Sequence, residues 1–262
     1  MTAALHAEWT KLRTLRSTAW LALAIVLATI GVGTARVAAV DTGDCPTPTT
    51  CFEDTTALAL GGVVLGQAAA VALAVGAVTG EHASGSIVAT LAAVPRRGRV
   101  LAAKAVVVSA VVLASGLLAV AGSLVAGRLL LPGRGFDAAH GYPPLSPTDG
   151  PTLRAAAGTV AYLGVVALLG VGVGALLRDT AAAVTGVLGL LYLFPIVAGL
   201  VADARWQDRI LAWGPMTAGL AVQATVALDR QPVAPWTGLG VAAAWAAAAL
   251  AAGAVTFLRR DG

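Results

Sequence analysis

The sequence predicts an all-α integral membrane protein with six transmembrane helices, and its composition and the spacing of its charges carry that prediction. Of the 262 residues, 58% are hydrophobic and only 11% are charged, and the mean hydropathy is +0.85. Soluble domains are about 45–50% apolar and about 25% charged. The chain therefore lacks the polar surface that a water-soluble fold needs, and most of it is expected to face lipid.

Six stretches are long enough to cross a bilayer, whose hydrocarbon core takes about 20 apolar residues to span. Uniform apolar runs of this length, without alternation, predict helices rather than barrel strands. Arg36, near the end of the first run, fits an interfacial anchor whose long side chain reaches water. Contact with lipid or with a substrate is the alternative role for it. The predicted spans cover residues 18–40, 57–79, 105–127, 155–177, 181–202 and 233–258.

Residues 210–228 form a further uncharged stretch, but Pro215, Gln223 and other polar residues make it a poor lipid-facing helix. It is predicted to be an outer re-entrant segment, with a seventh span as the alternative. Six spans leave ten basic and four acidic residues on one side, and six basic and nine acidic on the other, with Arg36 at the edge. The positive-inside rule then predicts that both termini are cytoplasmic.

The basic residues lie in short clusters beside the apolar runs, where they act as topology signals. The sequence pI of about 9.6 therefore does not predict a nucleic-acid partner. Residues 1–16 are predicted to form a basic amphipathic helix along the cytoplasmic interface, because Leu5, Trp9 and Leu12 recur at helical spacing. An ordinary topology signal is the alternative. A cleaved secretory signal is not expected, since the first apolar run exceeds the usual length of about 7–15 residues.

Motifs for catalysis or metal binding are absent from the sequence. It contains no Gly-x-x-x-x-Gly-Lys-[Ser/Thr] phosphate loop, no His-Glu-x-x-His and no Gly-x-Ser-x-Gly. The three histidines, His6, His82 and His140, fall at or beyond the predicted membrane edges and lack helical i,i+4 partners. We therefore predict no catalytic, cofactor or metal site in this chain.

Cys45 and Cys51 are the only cysteines, and both fall in the first outer loop. Because the outer side is oxidising, a disulfide that closes this small loop is expected. Free thiols or a metal clip are the alternatives, although two thiolates alone make a poor metal site.

The segment 80–104 is the most informative part of the sequence. Glu81 is predicted near a helix N-terminus, where the helix dipole favours a carboxylate. Ile87 and Leu91 then recur at helical spacing, Pro95 ends the element, and three arginines follow. The pattern predicts a short helix across the cytoplasmic end of the bundle that could contact a partner. A plain interfacial linker between two spans is the alternative.

In this segment the sequence resembles permease subunits of the type-2 exporter superfamily of ABC transporters. In that family the second helix ends in a Glu, followed by a Gly-[Ser/Thr] pair, a Leu, a Pro, one or more Arg, and a Lys that opens the next helix. The chain departs from the pattern at His82, where the family usually has Arg, which puts any salt bridge from that position in doubt. The matching residues are Glu81, Gly85-Ser86, Leu91, Pro95, Arg96-Arg97 and Lys104.

Other segments resemble the same family in the expected order. Residues 8–14 are similar to its elbow helix, 177–183 to its fourth-to-fifth turn, 215–219 to its outer re-entrant segment, and 259–261 to its C-terminal end. The resemblance thus covers nearly the whole chain and treats 1–262 as a single permease domain.

The resemblance implies a complex of two permeases, homodimeric or heterodimeric, with two ABC ATPase subunits in a bacterial cell membrane. ATP is then used by the partner, and segment 80–104 is a coupling helix that seats in a groove of the ATPase. The predicted spans carry no deep charge cluster, which favours efflux of an apolar or amphipathic cargo such as a drug or lipid. A non-transporting sensor or assembly component and a membrane enzyme are the other readings. The implied coupling residues are Glu81, Gly85, Ile87, Leu91, Pro95, Arg96 and Arg97.

Overall fold

The structure is a computed structural model that describes residues 2–40, 43, 53–86, 90, 97–146 and 148–259. Throughout these residues the regular structure is helical, with no strand. The α-helices in this part of the chain are α1 (Thr2–Thr14), α2 (Arg16–Ala39), α3 (Thr55–Leu60), α4 (Val63–Ala83), α5 (Arg97–Leu130), α6 (Gly150–Leu177), α7 (Thr180–Leu200), α8 (Ala204–Trp213), α9 (Pro215–Leu220) and α10 (Pro235–Arg259).

Six helical segments of the described chain are long and apolar enough to cross a membrane, which confirms the predicted fold class. They are α2, the consecutive pair α3–α4, α5, α6, α7 and α10. The 34 residues of α5 make a helix about 51 Å long, since each residue adds about 1.5 Å. It therefore exceeds a hydrocarbon core of about 30 Å by several turns.

Helices α8 and α9 are too short to cross the bilayer. Their ten and six residues correspond to about 15 Å and about 9 Å. Within 210–228 the chain instead forms the end of α8, α9 and the 3₁₀ turn Ala221–Gln223. The polar side chains there are satisfied by backbone carbonyls, because Thr217 Oγ1 donates to Leu211 O and Gln223 Nε2 donates to Leu60 O at 3.3 Å. That this segment is re-entrant remains a prediction.

The small-residue spacing of Gly62 and Gly66 serves packing within the chain. A Cβ atom at Gly62 would lie 1.9 Å from the carbonyl oxygen of Thr29, and one at Gly66 would lie 2.0 Å from its hydroxyl oxygen. These glycines therefore let α2 cross the start of α4 closely. Farther along α4, Gly76 and Gly80 are not in such close contact, because a Cβ added at either would have no described atom within 4 Å.

Helices α6 and α10 cross at a second pair of glycines, Gly172 and Gly253. A Cβ at Gly172 would lie 2.5 Å from backbone atoms of Ala249 and Leu250, whereas a Cβ at Gly240 would meet no described atom within 4 Å. We expect Gly172→Ala to destabilise the chain by about 1–3 kcal/mol through overpacking. Gly240→Ala is the matched control, and it should be neutral or slightly stabilising because Ala favours helix. Thermal unfolding of both variants in one detergent tests this, and equal stabilities would contradict it.

The end of the bundle beside α1, here called the α1 end, brings together α1, the last turns of α4 and the first turns of α5. The opposite end holds the connections 131–149 and 201–234. The two ends carry different polar interactions.

Candidate functional site: an ion-pair cluster at the α1 end

Four charged side chains from three helices meet at the α1 end, and we call them the ion-pair cluster. Glu8 and Lys11 lie on α1, Glu81 lies in the last turn of α4, and Lys104 lies two turns into α5. The cluster therefore joins the N-terminal helix to the two helices that flank residues 84–96.

Each lysine ammonium of the cluster has three acceptors, which matches its three N–H donors. Lys104 Nζ lies 2.7 Å from Glu8 Oε2, 2.9 Å from Glu81 Oε1 and 2.8 Å from the carbonyl oxygen of Ala77. Lys11 Nζ lies 2.8 Å from Glu8 Oε1, 2.9 Å from Glu81 Oε1 and 3.1 Å from the hydroxyl oxygen of Thr90. Glu81 Oε1 thus accepts from both lysines.

The cluster is largely shielded from solvent and its formal charges cancel. The exposed fractions of the side chains are 4% for Glu8, 6% for Lys104, 13% for Glu81 and 37% for Lys11. Burial is the largest single influence and disfavours the ammonium of Lys11, but its hydrogen bonds with Glu8 and Glu81 and its charge attraction to both together raise the pKa of Lys11 above its ordinary value. Lys11 therefore remains charged at neutral pH. Buried charges of this kind are stable only when they are paired.

Glu81 does not lie at a helix N-terminus, so that part of the sequence prediction was wrong. It occupies the C-terminal turn of α4, where the helix dipole disfavours a carboxylate. Two ammonium groups compensate for this position. The connection is also shorter than the predicted 80–104, because α4 continues to Ala83 and α5 already begins at Arg97. Glu81 and Lys104, which the sequence analysis placed just outside the spans, thus lie inside helices, where they pair with each other.

The other implied coupling residues are divided between described and undescribed parts of the chain. Gly85 follows α4 with φ +70°, a left-handed conformation that favours glycine after a helix. Arg97 is the first residue of α5 and is partly buried. The predicted residues Ile87, Leu91, Pro95 and Arg96, and the predicted disulfide of Cys45 with Cys51, lie outside the described residues.

Sequence reasoning did not find the cluster as a unit. It placed Leu5, Trp9 and Leu12 on one apolar face, but Trp9 is exposed while Glu8 is buried beside Leu12. The spacing of Glu8 and Lys11 by three residues was a usable signal, since such pairs meet on a helix. Their pairing with α4 and α5 is tertiary and leaves no local pattern.

His82 does not join the cluster. Its Nδ1 lies 3.1 Å from the carbonyl oxygen of Val78, and its ring meets Phe257 edge-on at 6.2 Å between centroids. Glu81, the residue before His82, instead forms ion pairs with Lys11 and Lys104.

Asp54 fastens the opposite end of the bundle. Its carboxylate caps α3 by accepting from the backbone N–H of Ala57 at 2.9 Å. It also accepts from the backbone N–H and the hydroxyl of Thr225, and from the N–H of Val226 at 3.2 Å. Arg154 adds a bond from its guanidinium to the carbonyl oxygen of Ala224. Residues 224–226 are thereby tied to the start of the second span, a contact between residues far apart in the sequence.

We expect Asp54→Ala to destabilise the chain by about 2 kcal/mol, since it removes a helix cap and the bonds to residues 224–226. Asp149→Ala is a matched control. Asp149 occupies the same position before α6 but accepts no cap bond from a backbone N–H, only a 3.4 Å bond from the hydroxyl of Thr152. Denaturant or thermal unfolding of the two variants measures the difference. A loss at Asp149 as large as that at Asp54 would refute the assigned role.

These features first define a class: a multi-pass membrane protein with a charged cluster at one end of six spanning helices. The family model described as ABC-2 family transporter protein matches residues 21–262, so the chain belongs to that family. This confirms the resemblance seen in the sequence. The chain is therefore the membrane component of an ABC transporter, and membership implies association with an ABC ATPase subunit. A search of curated proteins finds no match.

Proposed function

We propose that the chain is the permease subunit of an ATP-driven exporter, which forms the cargo path with a second permease and is driven by a separate ATPase. The ion-pair cluster is the observation that carries this proposal. It binds together α1, α4 and α5, so the two helices that flank residues 84–96 are fixed to each other. A displacement of residues 84–96 therefore moves α1, α4 and α5 together rather than one helix alone.

In the proposed mechanism, closure of the ATPase on ATP displaces segment 81–97. Transmission of this kind needs a stiff contact rather than a catalytic group. The network of ammonium–carboxylate bonds resists separation of α4 from α5 and of α1 from both, because each lysine bridges two carboxylates. The displacement therefore rocks the permease as a unit and opens the path between the two permeases toward the outside.

The proposed orientation places the α1 end in the cytoplasm of a bacterial cell. The excess of basic residues beside the spans at this end supports it. An apolar or amphipathic cargo, such as a drug or lipid, is proposed because the sequence places no group of charges deep within the spans.

The decisive test is a mild-detergent pull-down of the tagged chain from its native membrane, with mass spectrometry of the soluble protein that co-purifies in near-equal amount. We expect an ATPase with a phosphate loop, and we expect it to be lost from Leu91→Asp. Asp179→Asn is the control for Leu91→Asp, because it changes a charge at the start of α7 and lies outside the proposed contact. Leu65→Asp would not serve, since it places a charge within a span. Recovery of a partner without ATPase motifs would instead favour a sensor or assembly component.

A further inference from the structure

The second span is interrupted where α3 meets α4. Gly61 and Gly62 lie between the two helices, and the hydrogen bonds there tighten to the 3₁₀ pattern. The N–H of Gly61 donates to the carbonyl oxygen of Leu58, and the N–H of Val64 donates to that of Gly61, both at 3.3 Å. In a continuous α-helix, Val64 would donate to Leu60 instead. A 3₁₀ stretch within a helix often marks a functional hinge.

The carbonyl group of Leu60 is held by a side chain from another part of the chain. Gln223, in the 3₁₀ turn after α9, donates from Nε2 to Leu60 O at 3.3 Å and to Thr159 Oγ1 of α6 at 3.2 Å. Leu60 and Thr159 are fully buried, and Gln223 is 6% exposed. Because a buried carbonyl group without a donor is costly, Leu60 needs a partner, and Gln223 takes the place of Val64.

The start of α4, on the other side of the break, is held by a different element. The hydroxyl of Tyr192 on α7 donates to the carbonyl oxygen of Val64. The far end of α4 is held to α1 and α5 by the ion-pair cluster. In contrast, α3 and its cap are bonded to residues 223–226 through Leu60 and Asp54. The break therefore separates two parts of one span that have different polar partners.

From this arrangement we propose that the carbonyl group of Leu60 is a hydrogen-bond switch between the second span and segment 215–223. In the observed state, Gln223 donates to Leu60 and the span is broken. In the second state, Val64 donates to Leu60, the span is one continuous α-helix, and Gln223 is free of it. Either donor satisfies the buried carbonyl group, so the exchange costs little. Straightening of the span and release of Gln223 are then reciprocally coupled.

In the proposed exporter the switch connects the two ends of the bundle, and this role rests on the proposed function. A displacement of α4 through the ion-pair cluster acts on the break, because each residue that passes from 3₁₀ to α shortens the helix by about 0.5 Å. Segment 215–223 then loosens at the end opposite to the proposed ATPase contact. The switch itself belongs to the chain alone and can be measured without an ATPase.

Hydrogen–deuterium exchange of the purified full-length chain in detergent, read by mass spectrometry, tests the switch. Gln223→Leu removes the side-chain donor to Leu60. We expect the amides of segment 215–223 to exchange about fivefold faster and the amide of Val64 about threefold slower, since Val64 then bonds to Leu60. The opposite signs are diagnostic, because loss of a merely structural bond would speed exchange on both sides of it.

Gly61→Ala acts on the switch from the span and leaves Gln223 in place, so it also serves if Gln223→Leu does not fold. Ala favours α-helix over Gly by up to about fivefold. The added Cβ would lie 1.7 Å from Nη1 of Arg36, which is the movable end of an exposed side chain. This variant should speed exchange in segment 215–223 without any change to that segment, and it should slow exchange at Val64.

Gln207→Leu is the matched control, because Gln207 Nε2 also donates to a backbone carbonyl, that of Val201 at 2.9 Å, away from the break. It should leave exchange at Val64 and in segment 215–223 as in the wild type. Faster or unchanged exchange at Val64 in Gln223→Leu, or wild-type exchange of segment 215–223 in Gly61→Ala, would overturn the switch. A pull-down that recovers no ATPase would count against the proposed function and leave these results intact.

Discussion

Replacement of Lys104 by Met should lower the free energy of unfolding by about 3–5 kcal/mol, the usual cost of breaking a buried ion pair from one side. Lys104 contacts both carboxylates of the ion-pair cluster, and its side chain is 6% exposed. Without it, Glu8 and Glu81 remain buried with one ammonium group between them. Thermal unfolding in detergent measures the effect.

Two comparisons separate loss of charge pairing from loss of packing. Lys11→Met should cost less than Lys104→Met, because Lys11 is 37% exposed and Lys104 is only 6% exposed, and Lys104 still pairs with both carboxylates when Lys11 is removed. The double variant Lys104→Met with Glu8→Gln should recover part of the stability, since it removes one of the uncompensated charges. If Lys104→Met and Lys11→Met unfold at the same temperature, and the double variant shows no recovery, the cluster does not hold these helices together.

Glu81→Arg should abolish transport while the chain still inserts into the membrane. The substitution replaces the carboxylate that accepts from Lys11 and Lys104 with a third positive group, so repulsion separates α1 and α5 from α4. Leu91→Asp should have the same effect on transport by altering the proposed contact with the ATPase. Efflux from cells that express the variant with its ATPase measures transport, and membrane fractionation measures insertion.

Asp179→Asn serves as the control for Glu81→Arg, since Asp179 is an acidic residue outside the cluster that caps α7 through the N–H of Ala182 at 2.7 Å. It should retain transport and nearly all of its stability, since Asn caps a helix about as well as Asp. Normal transport by Glu81→Arg or by Leu91→Asp would count heavily against segment 81–97 as the coupling element.

The number of spans could be predicted from the sequence because lipid imposes one strong local rule: each crossing needs about 20 apolar residues in a helix. That rule also separated 210–228 from the true spans, since Pro215 and Gln223 interrupt it. The motif order of segment 80–104 was likewise enough to suggest the family, which the match over 21–262 then confirmed.

The ends of the helices at the α1 end could not be predicted in the same way. A charged residue was taken to mark the end of a span, yet Glu81 and Lys104 both lie within helices. The two residues can lie within helices because their charges neutralise each other, with Lys104 Nζ 2.9 Å from Glu81 Oε1. That contact depends on how α4 and α5 pack.

By itself, the sequence determined that this chain crosses the membrane six times and resembles an ABC permease, because hydropathy and motif order are properties of neighbouring residues. Only the tertiary structure decided that Glu8 is buried, that Asp54 holds residues 224–226, and that Gly62 is covered while Gly76 is open. Each of these depends on which helices touch and where they diverge, and contacts between distant residues leave no period in the sequence.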